Sequence, residues 1–176
     1  DPHVALRTPF GNSLSGSARA GQRTFYSQAI ALTYVSKQQL TPSGRMRFGQ
    51  VSPAIGYVRI PSFSGEGWGV EIDDVLESLE AIDAFDAIVI DVRDNGGGNN
   101  SNSTDIANRF ADESRTVGFY RYRSGPDHGD FTPPRPIGIS PAGVRFQAPV
   151  AVLCNRRCAS ATCLSTDSWR ASACRP

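Results

Sequence analysis

Lysine is almost missing from this sequence: Lys37 is the only one, and arginine carries the rest of the positive charge. Histidine is nearly as scarce, with His3 and His128 alone. Side chains able to take a proton near neutral pH are therefore few, which narrows any catalytic reading. A net charge of +1 gives no electrostatic case for nucleic acid or an anionic membrane. No apolar run approaches membrane-spanning length. Cysteine is absent until Cys154, and Cys158, Cys163 and Cys174 complete the set. Their spacing is not the paired C-x-x-C of a zinc site, and nothing upstream offers a disulfide framework, so neither metal nor cofactor is expected. Cys154 closes the run "PVAVLC" and reads as a small buried hydrophobe. The opening "DPHVALRTPF" is neither a signal peptide nor an initiator methionine. The chain is thus expected to begin inside something longer or after a processing step.

What is present suits one domain with a real core: 176 residues, 39% hydrophobic and 20% charged. Residues 7–23 read as loop, "TFYSQAIALTYV" as strand and "TPSGRMRFGQVSP" as turns. "AIGYVRI" is the next strand, closed by Pro61. Ile72, Val75, Leu76, Leu79 and Ile82 then fall at helical spacing, with Glu71, Asp73 and Asp74 expected in the first turn, where the helix dipole favours acids. "FDAIVIDVR" is a continuous apolar strand of the kind covered on both faces. "STDIANRFADE" reads as a helix capped by Ser103, with Ile106, Ala107 and Phe110 facing in. "TVGFYRYR" and "APVAVLCN" are strands, separated by a Pro-rich loop. This order predicts an α/β fold with a largely parallel core.

In open α/β sheets the working loops lie beyond the carboxyl ends of the strands, and "DVRDNGGGNN" sits there. Dinucleotide binding fits poorly: Gly96 and Gly98 open a G-x-G-x-x-G pattern, but Ser101 stands at its third glycine and the expected downstream acid is missing. A plain exposed turn needs one glycine, not three. The third reading is a cradle of backbone N–H groups that stabilises negative charge on a ligand oxygen, as an oxyanion hole does. Such a cradle needs a nucleophile. "NRRCASATCL" offers Ser160 at a strand-to-helix corner, with small neighbours; on its own this reads better as an ordinary helix start, with Ser160 or Thr162 as cap.

Taken in order, "IGYVRIPSF", a helix, "AIVIDVRDNGGG" and "APVAVLCNRRCASAT" resemble the S41 serine peptidases. These are the tail-specific, or carboxyl-terminal processing, proteases, related to the tricorn core and to the repeats of interphotoreceptor retinoid-binding protein. Members read "IGYIRIxxF", "DLRxNxGG" and "VLVNxxSASASE", so the likeness covers roughly residues 54–162. "DPHVAL" is also similar to the family's "DGHVxL". The resemblance implies a ClpP/crotonase-like core of stacked ββα units, here truncated at both ends, and endopeptidase activity on a peptide or protein substrate. It implies Ser160 as nucleophile and the N–H groups of Gly97 and Ala161 as oxyanion hole. Asp91, Arg93 and Asn95 would shape the loop without a catalytic step. Relatives are often exported to the periplasm.

In the processing-protease branch the base is a lysine some two dozen residues after the serine, a position past Pro176. In the tricorn branch it is an upstream histidine, and His3 falls where that histidine would be. Lys37 and His128 read as surface residues. Residues 1–53 are expected to be the N-terminal part of the peptidase region, too short before "IGYVRI" for an inserted PDZ domain. Family members carry an acid shortly after the serine, where this chain reads "TCLSTDSWRASACRP", and the tail, residues 163–176, lacks the long apolar helix expected there. A one-base shift of the reading frame near Ala161 or a truncation would each produce such a tail. The alternative function is a non-catalytic module of the same fold that binds an apolar ligand or peptide. An acyl-CoA enzyme of the wider crotonase fold matches the motifs less well.

Overall fold

The computed structural model describes residues 33–82 and 85–162. Seven strands and two complete helices follow in order among the described residues: β1 (Ser36–Leu40), β2 (Arg47–Ser52), β3 (Ile55–Arg59), α1 (Trp68–Ile82), β4 (Ala87–Asp91), α2 (Asn100–Asn108), β5 (Arg115–Tyr120), β6 (Arg135–Ile139) and β7 (Val150–Leu153). Five of the strands form one sheet in the order β1-β2-β3-β4-β7, and β5 and β6 pair separately. The protein is thus mixed α/β, with few helices and a multi-stranded sheet.

The sheet is half antiparallel rather than largely parallel. β1 pairs antiparallel with β2, and β2 with β3, whereas β3 pairs parallel with β4 and β4 with β7. Chain length between strands decides this. The stretches joining β1 to β2 and β2 to β3 are tight turns, which can only reverse direction. A helix separates β3 from β4, and that crossover restores parallel pairing. Within "TPSGRMRFGQVSP", expected to be all turn, RFGQVS is β2 itself. Of the strand expected across residues 24–35, only 33–35 are described, and 33 and 34 are helical.

Helix α1 buries Ile72, Val75, Leu76 and Leu79, the apolar stripe read from the sequence, and Ile82 is packed against the core. Each such side chain contributes roughly 1.5–3 kcal/mol on burial. They meet Phe48 of β2, Val58 of β3 and Ile88 and Ile90 of β4 in one core cluster. The helix begins at Trp68, so only Glu71 lies in its first turn. Glu71 is buried and accepts from the hydroxyls of Thr41 and Ser43 and from Arg45 Nε at 3.1 Å, which clips the β1–β2 turn to the helix. Asp73 instead takes two bonds from Arg109, at 2.8 and 2.7 Å. Those bonds hold the Asp73 carboxyl below its ordinary pKa. Arg109 also reaches Gly69 O at 2.9 Å, tying the two helices together.

Helix α2 is capped by Asn99, whose side chain accepts from Ser101 N, and not by Ser103. Ser103 is buried and donates to Asn100 O at 2.8 Å. Ile106, Ala107 and Phe110 face the core as their spacing requires.

Candidate active site

β4 runs into the glycine loop through Asp91, which is fully buried. Its carboxylate accepts from Tyr57 Oη at 2.8 Å, from Arg93 Nη2 and Nε at 2.7 and 3.0 Å, and from the Arg93 N–H at 3.0 Å. Arg59 stands 3.5 Å away. Burial alone pushes this acid's pKa up, but the bonds from Arg93 and Tyr57 and the charge of Arg59 outweigh it and hold the carboxyl below its ordinary value. Asn95, equally buried, spends its side chain on both sides of the loop. Its Nδ2 donates to Ile60 O at 3.0 Å, and its Oδ1 accepts from Gly97 N at 2.8 Å.

Two of the three glycines are needed for close approach. At Gly97 (φ 97°) a Cβ would lie 2.7 Å from Ala159 O and 2.8 Å from Ser160 Cβ. At Gly98 (φ 146°) it would lie 2.3 Å from Phe63 C, where the loop runs alongside Phe63. A Cβ at Gly96 would meet nothing within 4 Å. Side-chain absence thus lets the loop back touch the serine segment on one side and residues 63–64 on the other.

The serine segment is laced to that loop. Asp94 and Asn155 bond reciprocally, Asp94 N to Asn155 Oδ1 at 3.1 Å and Asn155 Nδ2 to Asp94 Oδ1 at 3.0 Å. Ala159 N donates to Asn95 O at 3.2 Å, and the buried Thr162 hydroxyl to the same oxygen at 3.1 Å. The Cys158 thiol donates to Val92 O at 3.0 Å, and burial pushes its pKa up, which keeps it a thiol. Asn155, Thr162 and Cys158 carry this bracing unforeseen from the sequence; only the asparagine at the strand end hinted at it. Ser160 itself is exposed, at a left-handed φ of 56°, with a helical turn opening at Ala161. A left-handed serine is strained by about 1–2 kcal/mol. The N of Ala161 lies 3.2 Å from where that Gly97 Cβ would stand, so the loop approaches both Ser160 and Ala161.

The family model for peptidase family S41 matches residues 54–166. The chain belongs to peptidase family S41. Among solved structures, this S41 chain is similar to a Parabacteroides merdae protein assigned as a peptidase. The two share 32% identity and a TM-score of 0.72, over 84% of this chain and 46% of that one. It also shares the fold of a photosystem II D1 C-terminal processing protease, at 21% identity and TM-score 0.53, over 67% of this chain and 28% of that one. The chain therefore spans less than half the length of either. No protein among those curated for function matches it.

Of the expected site residues, the S41 chain brings Gly97, Ser160 and Ala161 together. His3 lies outside the described residues. Lys37 and His128 are exposed. Ser160 lines an open cleft of about 660 Å³, with Gly98, Asn99, Asp105, Tyr120 and Tyr122 around it and no histidine or lysine among the described residues that line it. Cys154 is exposed, against expectation. β7 ends the row of paired strands, and the strand's alternate residues Ala151 and Leu153 are exposed with it.

Proposed function

We propose that this chain carries the nucleophile and oxyanion hole of a serine endopeptidase on a crotonase-like core. The observation that carries the reading is the contact of a strained, exposed serine with a glycine no other residue could replace. Ser160 Oγ attacks the substrate carbonyl carbon while a base, His3 in our reading, takes its proton. The carbonyl oxygen becomes an oxyanion held by the N–H groups of Gly97 and Ala161. The base returns the proton to the leaving amine, and water then hydrolyses the acyl-enzyme. At rest the Gly97 N–H is engaged by Asn95 Oδ1; an oxyanion, as a charged acceptor, makes the stronger bond and takes it over. Ser160→Ala in the complete protein is expected to abolish peptide cleavage and covalent labelling by a fluorophosphonate probe. Cleavage that survives this substitution removes Ser160 from the mechanism.

Two features favour the second reading, a binding module without proteolysis. The Gly97 N–H is occupied, and no histidine or lysine lines the cleft at Ser160 among the described residues. That reading expects peptide binding with no label on Ser160.

A further inference from the structure

The cleft at Ser160 has two unlike walls. One is helix α2, with Thr104 and Asp105; the other is the β5–β6 hairpin, with Tyr120, Tyr122 and Ile137. The tyrosine rings meet edge to face, with centroids 5.4 Å apart. Arg121 and Arg123 alternate with them in sequence but stack on Phe131, at 4.7 and 5.2 Å, and do not line the cleft. Asp105 is the one charged residue among the described residues that line it. Its backbone oxygen accepts from Arg109 at 2.8 Å, while no described residue pairs with its carboxylate. A half-buried, unpaired carboxylate facing electron-rich rings is suited to a cation with an apolar stem. A cleft of this volume is in the range of ordinary ligand sites.

We infer that this cleft is a specificity site for an arginine or lysine side chain of the substrate, at a residue bordering the scissile bond. The stem lies against Tyr120, Tyr122 and Ile137, and the charged head meets the Asp105 carboxylate. The inference rests on the peptidase reading only for its link to bond cleavage; the binding preference stands by itself.

Two measurements on the complete protein separate the two. The first profiles cleavage of a mixed peptide library by wild type, Asp105→Asn, Asp105→Glu and Asp105→Lys. The second measures binding to the Ser160→Ala protein, with and without Asp105→Asn, of matched peptides carrying arginine or its neutral isostere citrulline. Wild type is expected to favour cationic residues at the cut by about tenfold or more, the scale of a charge-assisted bond. Asp105→Asn should erase that preference, Asp105→Glu should keep it, and Asp105→Lys should turn it towards acidic residues. Cleavage with no cationic preference, or a preference unmoved by Asp105→Asn, overturns the specificity site and leaves the peptidase standing. Binding that distinguishes arginine from citrulline through Asp105, without any cleavage, supports the site and overturns the peptidase. Neither cleavage nor discrimination overturns both.

Discussion

The glycine loop and the serine corner meet at one point yet are built in opposite ways. In the loop, Asp91 and Asn95 are both fully buried, and every bond they make runs to a neighbouring strand, the loop itself or the serine segment. At the corner, Ser160 is exposed, sits in the left-handed region, and has no described partner for its hydroxyl. The contrast follows from what each must do. Holding the Gly97 backbone in place before substrate arrives leaves only the Asn95–Gly97 bond to exchange when an oxyanion forms. A nucleophile has to project into solvent where substrate arrives, and strain on its backbone is tolerated because the loop beneath it is rigid.

Removing the loop's anchor should break this contrast most. Asp91→Asn takes away a buried charge on which Tyr57, Arg59 and Arg93 converge, and leaves arginine groups underpaired. The expected loss is about 3–5 kcal/mol in urea unfolding. Acid should reveal the same anchor. Folding lowers the Asp91 pKa, so its stabilisation is complete above the unfolded-chain value of about 3.9 and is lost as pH falls through the folded value. The lead of wild type over Asp91→Asn should therefore shrink below about pH 4; a lead that widened there would contradict the role given to this carboxylate.

A milder change tests whether the loop is tuned for an oxyanion or only for rigidity. Asn95→Asp keeps the shape but sets a carboxylate on the Gly97 N–H, beside the developing negative charge. The rate constant kcat should fall by about a hundredfold, the scale seen for loss of one oxyanion donor, with KM changed far less. An undiminished kcat would mean the Gly97 N–H takes no part.

The sequence exposed the well-buried elements and hid the rest. α1 and β4 announced themselves through periodicity and a continuous apolar run, because each faces the core along its length. β1 and β6, reading SKQQL and RPIGI, lie at sheet edges and carry polar residues, proline and glycine, so no pattern marks them. The contact of Gly97 with Ser160 was legible only through motif resemblance, since 63 positions separate them in the chain. The side chains that brace that contact, Asn155, Thr162 and Cys158, carry no periodic signal at all. Nor does Asp105: it lies on the polar side of an amphipathic helix, and only the fold turns it towards the cleft.

The smallest effect bears most directly on the corner itself. If Ser160 is strained for access, glycine there should relieve the strain while alanine keeps it. A left-handed non-glycine residue costs about 1–2 kcal/mol, and glycine loses back about 0.5–1 kcal/mol through the freedom of the unfolded chain. Ser160→Gly should then be more stable than Ser160→Ala by about 0.5–1 kcal/mol, with both inactive. One residue on, where the helical turn opens and Ala161 is buried, the same replacement should act oppositely, since glycine in place of alanine in a helix costs about 1 kcal/mol. Opposite signs at adjacent positions, read by urea unfolding, would locate the strain at the nucleophile; equal losses at both would show that Ser160 is held in its conformation without cost.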